Sequence, residues 1–469
     1  MKIVVVSIFR RNYGGGEGQI AHEMADVFSQ DHDVTLICPG DRTSLEIRES
    51  GLKVFTVQSA SREHVSSPLL SQVNLRLLYA YLGAFQPDVI HAHDPALLGV
   101  VLQVWAKTHQ IPFVYTTHVL PSRATEFGTL DALRFNLDFI AHPLIHRFLL
   151  NFYQNCDAVI ALNQIAYDEV RTFGYQGPMH IIPNGRVLAH YARRKIADLA
   201  LEIKTLTAIG FLSQRKNQAF LIDAMQYLPV NFRLEVAGTA LSPDYEKSLR
   251  DRIAALGLNN VELLGKVPHE EIAQLLERSH LLVSASTMEV QSLVVIEALA
   301  SGTPVVGLAN ETIDELIDEH VGARLPEGTS SEAFAAAISQ VCALPPEDYA
   351  AISRNARTRV QHLDWCKVMD RTAAIYTALR ENPRADQAHL TSRRSIADRI
   401  LSLVPDYEWK KTLLDLSNSF PLPSLPMQAI SLETRMISGI TNTGAMLLYA
   451  AIKADRVVRS IPGRISSTH

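Results

Sequence analysis

Three features of the sequence predict an α/β fold with two parallel-sheet domains. From Ile3 to Ile182, short and nearly continuous apolar runs alternate with helix-like spacers. Strands buried on both faces read this way because helices cover both sides of their sheet. The same alternation restarts at Leu206 after a polar stretch, and 469 residues suffice for two ordinary domains plus an extension.

Composition narrows the class. With 47% hydrophobic and 20% charged residues, the chain is neither disordered nor fibrous. A net charge of −5 gives no global positive field, so nucleic acid is not an expected partner. Cys38, Cys156, Cys342 and Cys366 lack metal-ligand spacing. Apolar, buried roles in a reducing cytosol are expected of them. The apolar run in MKIVVVSIFRR is too short for a signal peptide. No run reaches the ~18 to 20 apolar residues of a spanning helix. The expected location is cytoplasmic, with peripheral attachment to the inner membrane face left open.

Ile3 to Ser7 reads as the first strand, followed by a loop with Gly14, Gly15, Gly16 and Gly18 and a helical pattern from Gln19. Gly16, Gly18 and Ala21 spell GxGxxA, but the strand ends too early for a dinucleotide turn, and no ribose-binding acid follows the second strand at Cys38-Pro39. Further strands are expected at 34–38, 54–57, 88–93, 113–118, 158–162 and 180–182. Ligands of such sheets bind at the carboxyl ends of strands, where His93, Thr117 and His118 fall. His91-Ala92-His93-Asp94 is not taken as a metal site, since its two histidines are expected on opposite sides of their strand. Asp31-His32-Asp33 spells DxD at a helix-to-strand turn, where polar residues are ordinary. No metal is expected to be required. Between Arg123 and Gln154, Phe127, Phe135, Phe139, Phe148, Phe152 and Tyr153 lie among leucines, near His142, His146 and Arg147. A core helix explains the pattern first; an apolar site for a lipid, or a face resting on a membrane, is the alternative.

Ile182-Pro183-Asn184-Gly185 closes the first domain. The second opens with a strand at 206–212 and a loop holding Arg215 and Lys216, well suited to a phosphate. Strands at 233–238 and 261–265 follow, then SASTMEVQSLVVIEALASGTPVVGL from Ser284 to Leu308, a strand, helix, strand unit. Glu289 precedes the helix and Glu297 lies inside it. Were the whole span helical, the two would be roughly 12 Å apart along the axis, which argues against a hydrolase pair on one bond. The opening of such a helix is an anion site, and Ser292, Leu293 and Val294 would supply its N–H groups. An acid on each side of an anion suits sugar, diphosphate and ribose. Alternatively, Glu289 is a solvated loop acid and Glu297 a surface charge, although LVVIEALA is costly surroundings for an unpartnered carboxylate.

EVQSLVVIEALASGTPVV resembles the motif of retaining glycosyltransferases of family 4. That resemblance covers roughly residues 1 to 380 and implies two facing Rossmann-like domains (GT-B) with an inter-domain cleft. It divides the chain into an acceptor-side domain at 1–195, a nucleotide-sugar domain at 196–364, a helix crossing back at 365–381 and an extension at 382–469. A nucleotide-diphosphate sugar is then the donor substrate, with no separate cofactor. The resemblance implies that Glu289 and His118 contact the transferred sugar, Lys216 neutralises the diphosphate, and Glu297 holds the ribose. Gly15 and Gly16 would bring amides to the phosphates, and Lys266 and Val267 lie in the loop whose backbone reads the base. Relatives often carry arginine where Phe211 stands, and Arg215 is the candidate replacement. They often carry an acid soon after the Asn-Gly turn, where Arg186 stands. The segment from Glu289 to Val294 is similar to the variant found in enzymes that glucosylate or galactosylate diacylglycerol, pointing to a membrane lipid acceptor. A lipid-linked or surface polysaccharide acceptor, or a non-catalytic nucleotide-sugar-binding scaffold, are the alternatives. Residues 382–469 do not match. They carry 11 Lys plus Arg against 7 Asp plus Glu, and their apolar and basic end suits either an anionic membrane surface or a packing helix. Oligomeric state is left open.

Overall fold

The computed structural model describes residues 1–11, 15–62, 65–118, 120–123, 146, 148–191 and 203–381. It divides into two compact units, one of Met1–Ile181 with the chain from Thr372 onward, the other of Ile182–Arg371.

In the first unit the strand Lys2–Val6 is central, because Ile3 to Val6 are fully buried and have no polar side to turn outward. It pairs in parallel with Asp33–Gly40 on one side and Val89–Ala92 on the other. Lys53–Arg62 extends the first side; Phe113–Thr117, Ala158–Ala161 and Met179–Ile181 extend the second, all parallel. Two antiparallel strands were not apparent in the sequence, Ser44–Ile47 and Val65–Pro68, both pairing with Lys53–Arg62. The first carries Leu45 and Ile47 exposed on a sheet edge, so its side chains give none of the burial pattern that marks the central strands. The helices Gly15–Phe28, Gln72–Phe85, Leu97–Thr108 and Gln164–Thr172 connect the strands. Ser71 and Asn163 cap two of them by accepting from Asn74 and Ala166 N–H. Cys38 and Cys156 are buried as expected, whereas Cys366 is exposed on a helix surface.

The second unit is a six-stranded parallel sheet in the order Val261–Gly265, Phe232–Ala237, Lys204–Ile209, Leu281–Ser284, Val305–Leu308, Gly322–Leu325. This is the doubly wound order in which the chain reverses direction between its first and fourth strands, here Lys204–Ile209 and Leu281–Ser284. Leu206, Val236, Val283 and Val306 pack with Phe334 and Ile338 of the helix Ser331–Cys342 into one core. At the strand ends the backbones come close. A Cβ on Gly238, whose φ is +154°, would lie 1.9 Å from the Gly210 carbonyl oxygen. The helix Trp365–Glu381 begins in this unit, and its residues from Thr372 belong to the first. There Tyr376 packs on Phe28 and donates to, or accepts from, His91 Nδ1 at 2.5 Å.

Candidate active site

At the reversal point of the second sheet, two loops are tied together. The first follows Lys204–Ile209 and makes a 3-10 turn at Gln214–Lys216. Buried Gln218 braces it, accepting from Ser213 N–H and donating to the Phe211 carbonyl at 2.9 Å. The second follows Leu281–Ser284. Thr287 N–H donates to the Arg215 carbonyl at 2.9 Å, so the two loops share backbone hydrogen bonds.

This stitching brings Glu289 to Lys216, whose ammonium is hydrogen-bonded to Oε1 of the carboxylate. Ser286 Oγ donates to the same oxygen at 2.7 Å, and Arg215 Nη1 lies 3.9 Å away while donating to the Met288 carbonyl. Burial would raise the Glu289 pKa, but the charges of Lys216 and Arg215, with the hydrogen bonds from Lys216 and Ser286, outweigh it and leave it lowered. Glu289 is therefore an ionised carboxylate held between two cations. Its backbone is fixed as well: its N–H donates to Glu311, and its carbonyl accepts from Thr312 N–H and Oγ1.

The helix Leu293–Ser301 begins beside it, stopped by Gly302 in the left-handed region at φ +79°. Of the three amides expected at its opening, that of Ser292 is already committed, donating to Thr312 Oγ1 at 2.7 Å. Those of Leu293 and Val294 have no acceptor among the described residues. A recess lined by Lys216, Ser284, Ser292 and Val294 lies between the helix start and the lysine. It combines a cation with amide donors, the chemistry of a phosphate site.

Glu297 is not the surface charge of the alternative reading. It is 2% exposed, and its Oε1 forms an ion pair with Arg186 Nη2 at 2.6 Å, with Arg186 also 2% exposed. The backbone of Arg186 is pinned by exchanging hydrogen bonds with Leu363 and Trp365. The arginine that stands where an acid was looked for is thus the counter-ion of the second glutamate. Gln291, between the two acids, is also buried and accepts from Asn184 N–H at 2.6 Å. Lys266 is exposed and Val267 half-buried, in the loop after Val261–Gly265; neither lines the recess.

In the first unit the chemistry gathers at the equivalent reversal point, between Lys2–Val6 and Val89–Ala92. His91 and His93 lie on the same side of their strand, as residues two apart must. Their rings stack at 4.6 Å, which overturns the expectation of opposite faces. His118, just past Phe113–Thr117, stacks on His93 at 5.2 Å, with 2.9 Å between His93 Nδ1 and His118 Nε2. Burial lowers the pKa of His91 and of His118 to about 3 and takes His93 well below the ordinary value, so all three rings are neutral near pH 7. Among the described residues, no three His, Cys, Asp or Glu side chains converge as metal ligands. Gly15 and Gly16 form the first turn of the helix Gly15–Phe28; Gly14 and the loop before it lie outside the described residues. Of the aromatic stretch, Phe152 and Tyr153 are core residues, packed on Tyr115. Phe127, Phe135, Phe139, His142 and Arg147 lie outside the described residues, as do residues 382–469. No described helix is long and apolar enough to cross a membrane.

Sequence reasoning singled out the two acids, the lysine and His118. It did not find Ser286, Glu311 and Thr312, which fix Glu289, because they are common polar residues with no motif of their own.

Both domains have known counterparts. Residues 14–189 match the family described as Glycosyltransferase Family 4, and residues 192–359 match Glycosyl transferases group 1. The chain belongs to the glycosyltransferases with two Rossmann-like domains, the GT-B fold. Among its relatives is the alpha-monoglucosyldiacylglycerol synthase of Streptococcus pneumoniae, 26% identical over 249 residues, which are 50% of this chain and 55% of that protein. The match therefore spans about half the length of that relative. The glycogen synthase of Mycobacterium tuberculosis is 25% identical over 80% of this chain and 94% of its own. A solved structure of HepE from Anabaena, in complex with UDP and glucose, superposes with a TM-score of 0.65 at 24% identity, covering 81% of this chain and all of the other.

Proposed function

We propose that the protein is a retaining glycosyltransferase that moves a hexose from a nucleotide-diphosphate sugar to a membrane lipid such as diacylglycerol, with UDP-glucose or UDP-galactose as donor. The observation that carries the donor half is the recess lined by Lys216 and Val294 at a helix start whose Leu293 and Val294 amides have no acceptor among the described residues, with an ionised Glu289 bonded to Lys216. A donor diphosphate would compete with Glu289 for Lys216 and release the carboxylate toward the sugar hydroxyls. Arg215, 3.9 Å from Glu289, would supply a second cation.

In the reaction, the bond from C1 of the sugar to the diphosphate oxygen breaks with its electron pair going to that oxygen. The acceptor hydroxyl forms its bond to C1 on the same face, and its proton passes to the departing phosphate. Lys216 and the helix amides would stabilise the charge that develops there. No metal is required in this scheme, because lysine and amides carry the neutralisation. Glu289 and His118 would orient the sugar. Gly15 and Gly16 would approach the phosphates, and Lys266 and Val267 the base. Glu297 would hold the ribose from beside its ion pair with Arg186.

The lipid half is supported by the Glu289-Val290-Gln291-Ser292-Leu293-Val294 variant and by the alpha-monoglucosyldiacylglycerol synthase among the relatives. A saccharide acceptor is favoured by one observation, the longer match to a glycogen synthase. Incubation with labelled UDP-glucose, UDP-galactose and GDP-mannose, with a membrane lipid extract or an oligosaccharide panel as acceptor, separates the two. Nucleotide binding without transfer to any acceptor would instead mark a scaffold.

A further inference from the structure

His118 is neutral, so what it offers a ligand depends on which nitrogen carries its proton. We infer that Met24 and His93 fix that choice: they hold His118 with the proton on Nε2, leaving Nδ1 as an acceptor for the hydroxyl hydrogen of a bound sugar or alcohol. The role given to that hydroxyl rests on the proposed function; the proton's position does not.

The chain of contacts runs outward from a sulfur. His93 Nε2 lies 3.1 Å from Met24 Sδ. A thioether can accept a hydrogen bond and cannot donate one. At that distance an unprotonated Nε2 would set two lone pairs against each other, so Nε2 carries hydrogen. A neutral imidazole has a single N–H, and burial holds His93 neutral. Its Nδ1 is therefore an acceptor, and it faces His118 Nε2 at 2.9 Å. Two unprotonated nitrogens cannot bond, so His118 Nε2 must donate. The remaining nitrogen, Nδ1, has no partner among the described residues, and the residue is half-buried. A half-turn of the His93 ring would put carbons in place of both nitrogens and lose both contacts.

The consequence is a positioning device. As a bare acceptor, Nδ1 suits a hydroxyl and is unsuited to a phosphate oxygen or a carbonyl, both of which need a donor. His118 is thereby assigned to the hydroxyl end of the ligand, while the diphosphate goes to Lys216 and the helix amides. A histidine free to exchange tautomers would meet a hydroxyl correctly only part of the time.

The test is a long-range proton–nitrogen NMR spectrum of the full chain labelled with nitrogen-15 histidine, taken without donor. His118 is expected to show a protonated Nε2 and an unprotonated Nδ1. Met24→Leu keeps the volume and removes the acceptor, and is expected to give His118 a mixture of tautomers. An even mixture halves the competent population, so kcat/KM for transfer should fall about twofold. His93→Phe keeps a flat ring without nitrogens and should abolish the preference; if that variant fails to fold, Met24→Leu decides. A proton on Nδ1 in the unaltered protein overturns the inference, and so does a spectrum that neither substitution changes. Unimpaired transfer by His118→Ala, with the Nε2 proton found as expected, would overturn the role of His118 in the proposed function and leave the hydrogen-bond chain standing.

Discussion

The buried pair of Arg186 and Glu297 allows the sharpest perturbation. Both side chains are almost without solvent, 2% and 3% exposed, and 2.6 Å separates Nη2 from Oε1. Removing Arg186 takes the counter-ion from a carboxylate in a dry interior, and removing Glu297 takes a close partner from the guanidinium, each a loss of about 3 to 5 kcal/mol. Replacing both by apolar groups removes the desolvation problem together with the attraction, so the double variant Arg186→Met/Glu297→Leu should be much closer to the parent than either single one. For a unit of about 190 residues, a loss of roughly 4 kcal/mol lowers the melting temperature by about 8 to 16 °C. The assay is a double-mutant cycle followed by circular dichroism in thermal and urea unfolding. If the double variant loses the sum of the two single losses, the pair is not coupled and the reasoning is refuted. The cycle also bears on function. Weakened donor binding by Glu297→Ala would not by itself identify a ribose ligand, because the same substitution breaks the ion pair with Arg186. Arg186→Met serves as the control, since it breaks the pair while keeping the carboxylate.

Glu289→Gln should lower turnover by well over tenfold and nucleotide affinity far less, measured by steady-state kinetics and UDP titration; the reverse pattern would remove Glu289 from the sugar. Thr312→Val deletes the acceptor of Ser292 N–H and one of the two donors to the Glu289 carbonyl. It should destabilise by about 1 to 3 kcal/mol in urea unfolding and raise the KM for donor. Gly238→Ala would drive a methyl into the Gly210 carbonyl at a φ that disfavours it. It should abolish soluble expression or shift the urea midpoint sharply, and an unaltered midpoint would mean the strand ends are not so close. Acid should weaken the first unit. The unfolded chain takes up protons on its histidines below about pH 6.5. The folded His22 resists until about 4 and His91 and His118 until about 3, so stability falls with pH across that interval by roughly 1.4 kcal/mol per unit for each histidine. Buried Asp94, raised to about 7, opposes this with one group of the other sign. Urea midpoints at pH 7 and pH 5 measure the balance, and a higher midpoint at pH 5 would contradict it.

The alternation of apolar runs and its restart near Leu206 were sufficient for two parallel sheets, because a buried strand must be apolar on both faces wherever it lies. Glu289, Lys216 and His118 were legible for a related reason: each follows a strand, and strand ends are where such sheets bind ligands. The sequence also located the helix start beside Glu289. It could not tell which partners those residues meet, since Glu289 finds Lys216 across 73 positions, and Thr312 across 23. The stacking of His91 on His93 was available from strand periodicity, and reading them onto opposite faces was an error of inference. Arg186 stood out in the sequence as a departure from the expected acid, and only the fold pairs it with Glu297, because a buried charge is decided by what surrounds it in space. The order of the residues determined the two sheets and the acids, the lysine and the histidine at their strand ends; tertiary structure decided which amides stay free, which carboxylate is already paired, and which nitrogen of His118 carries the proton.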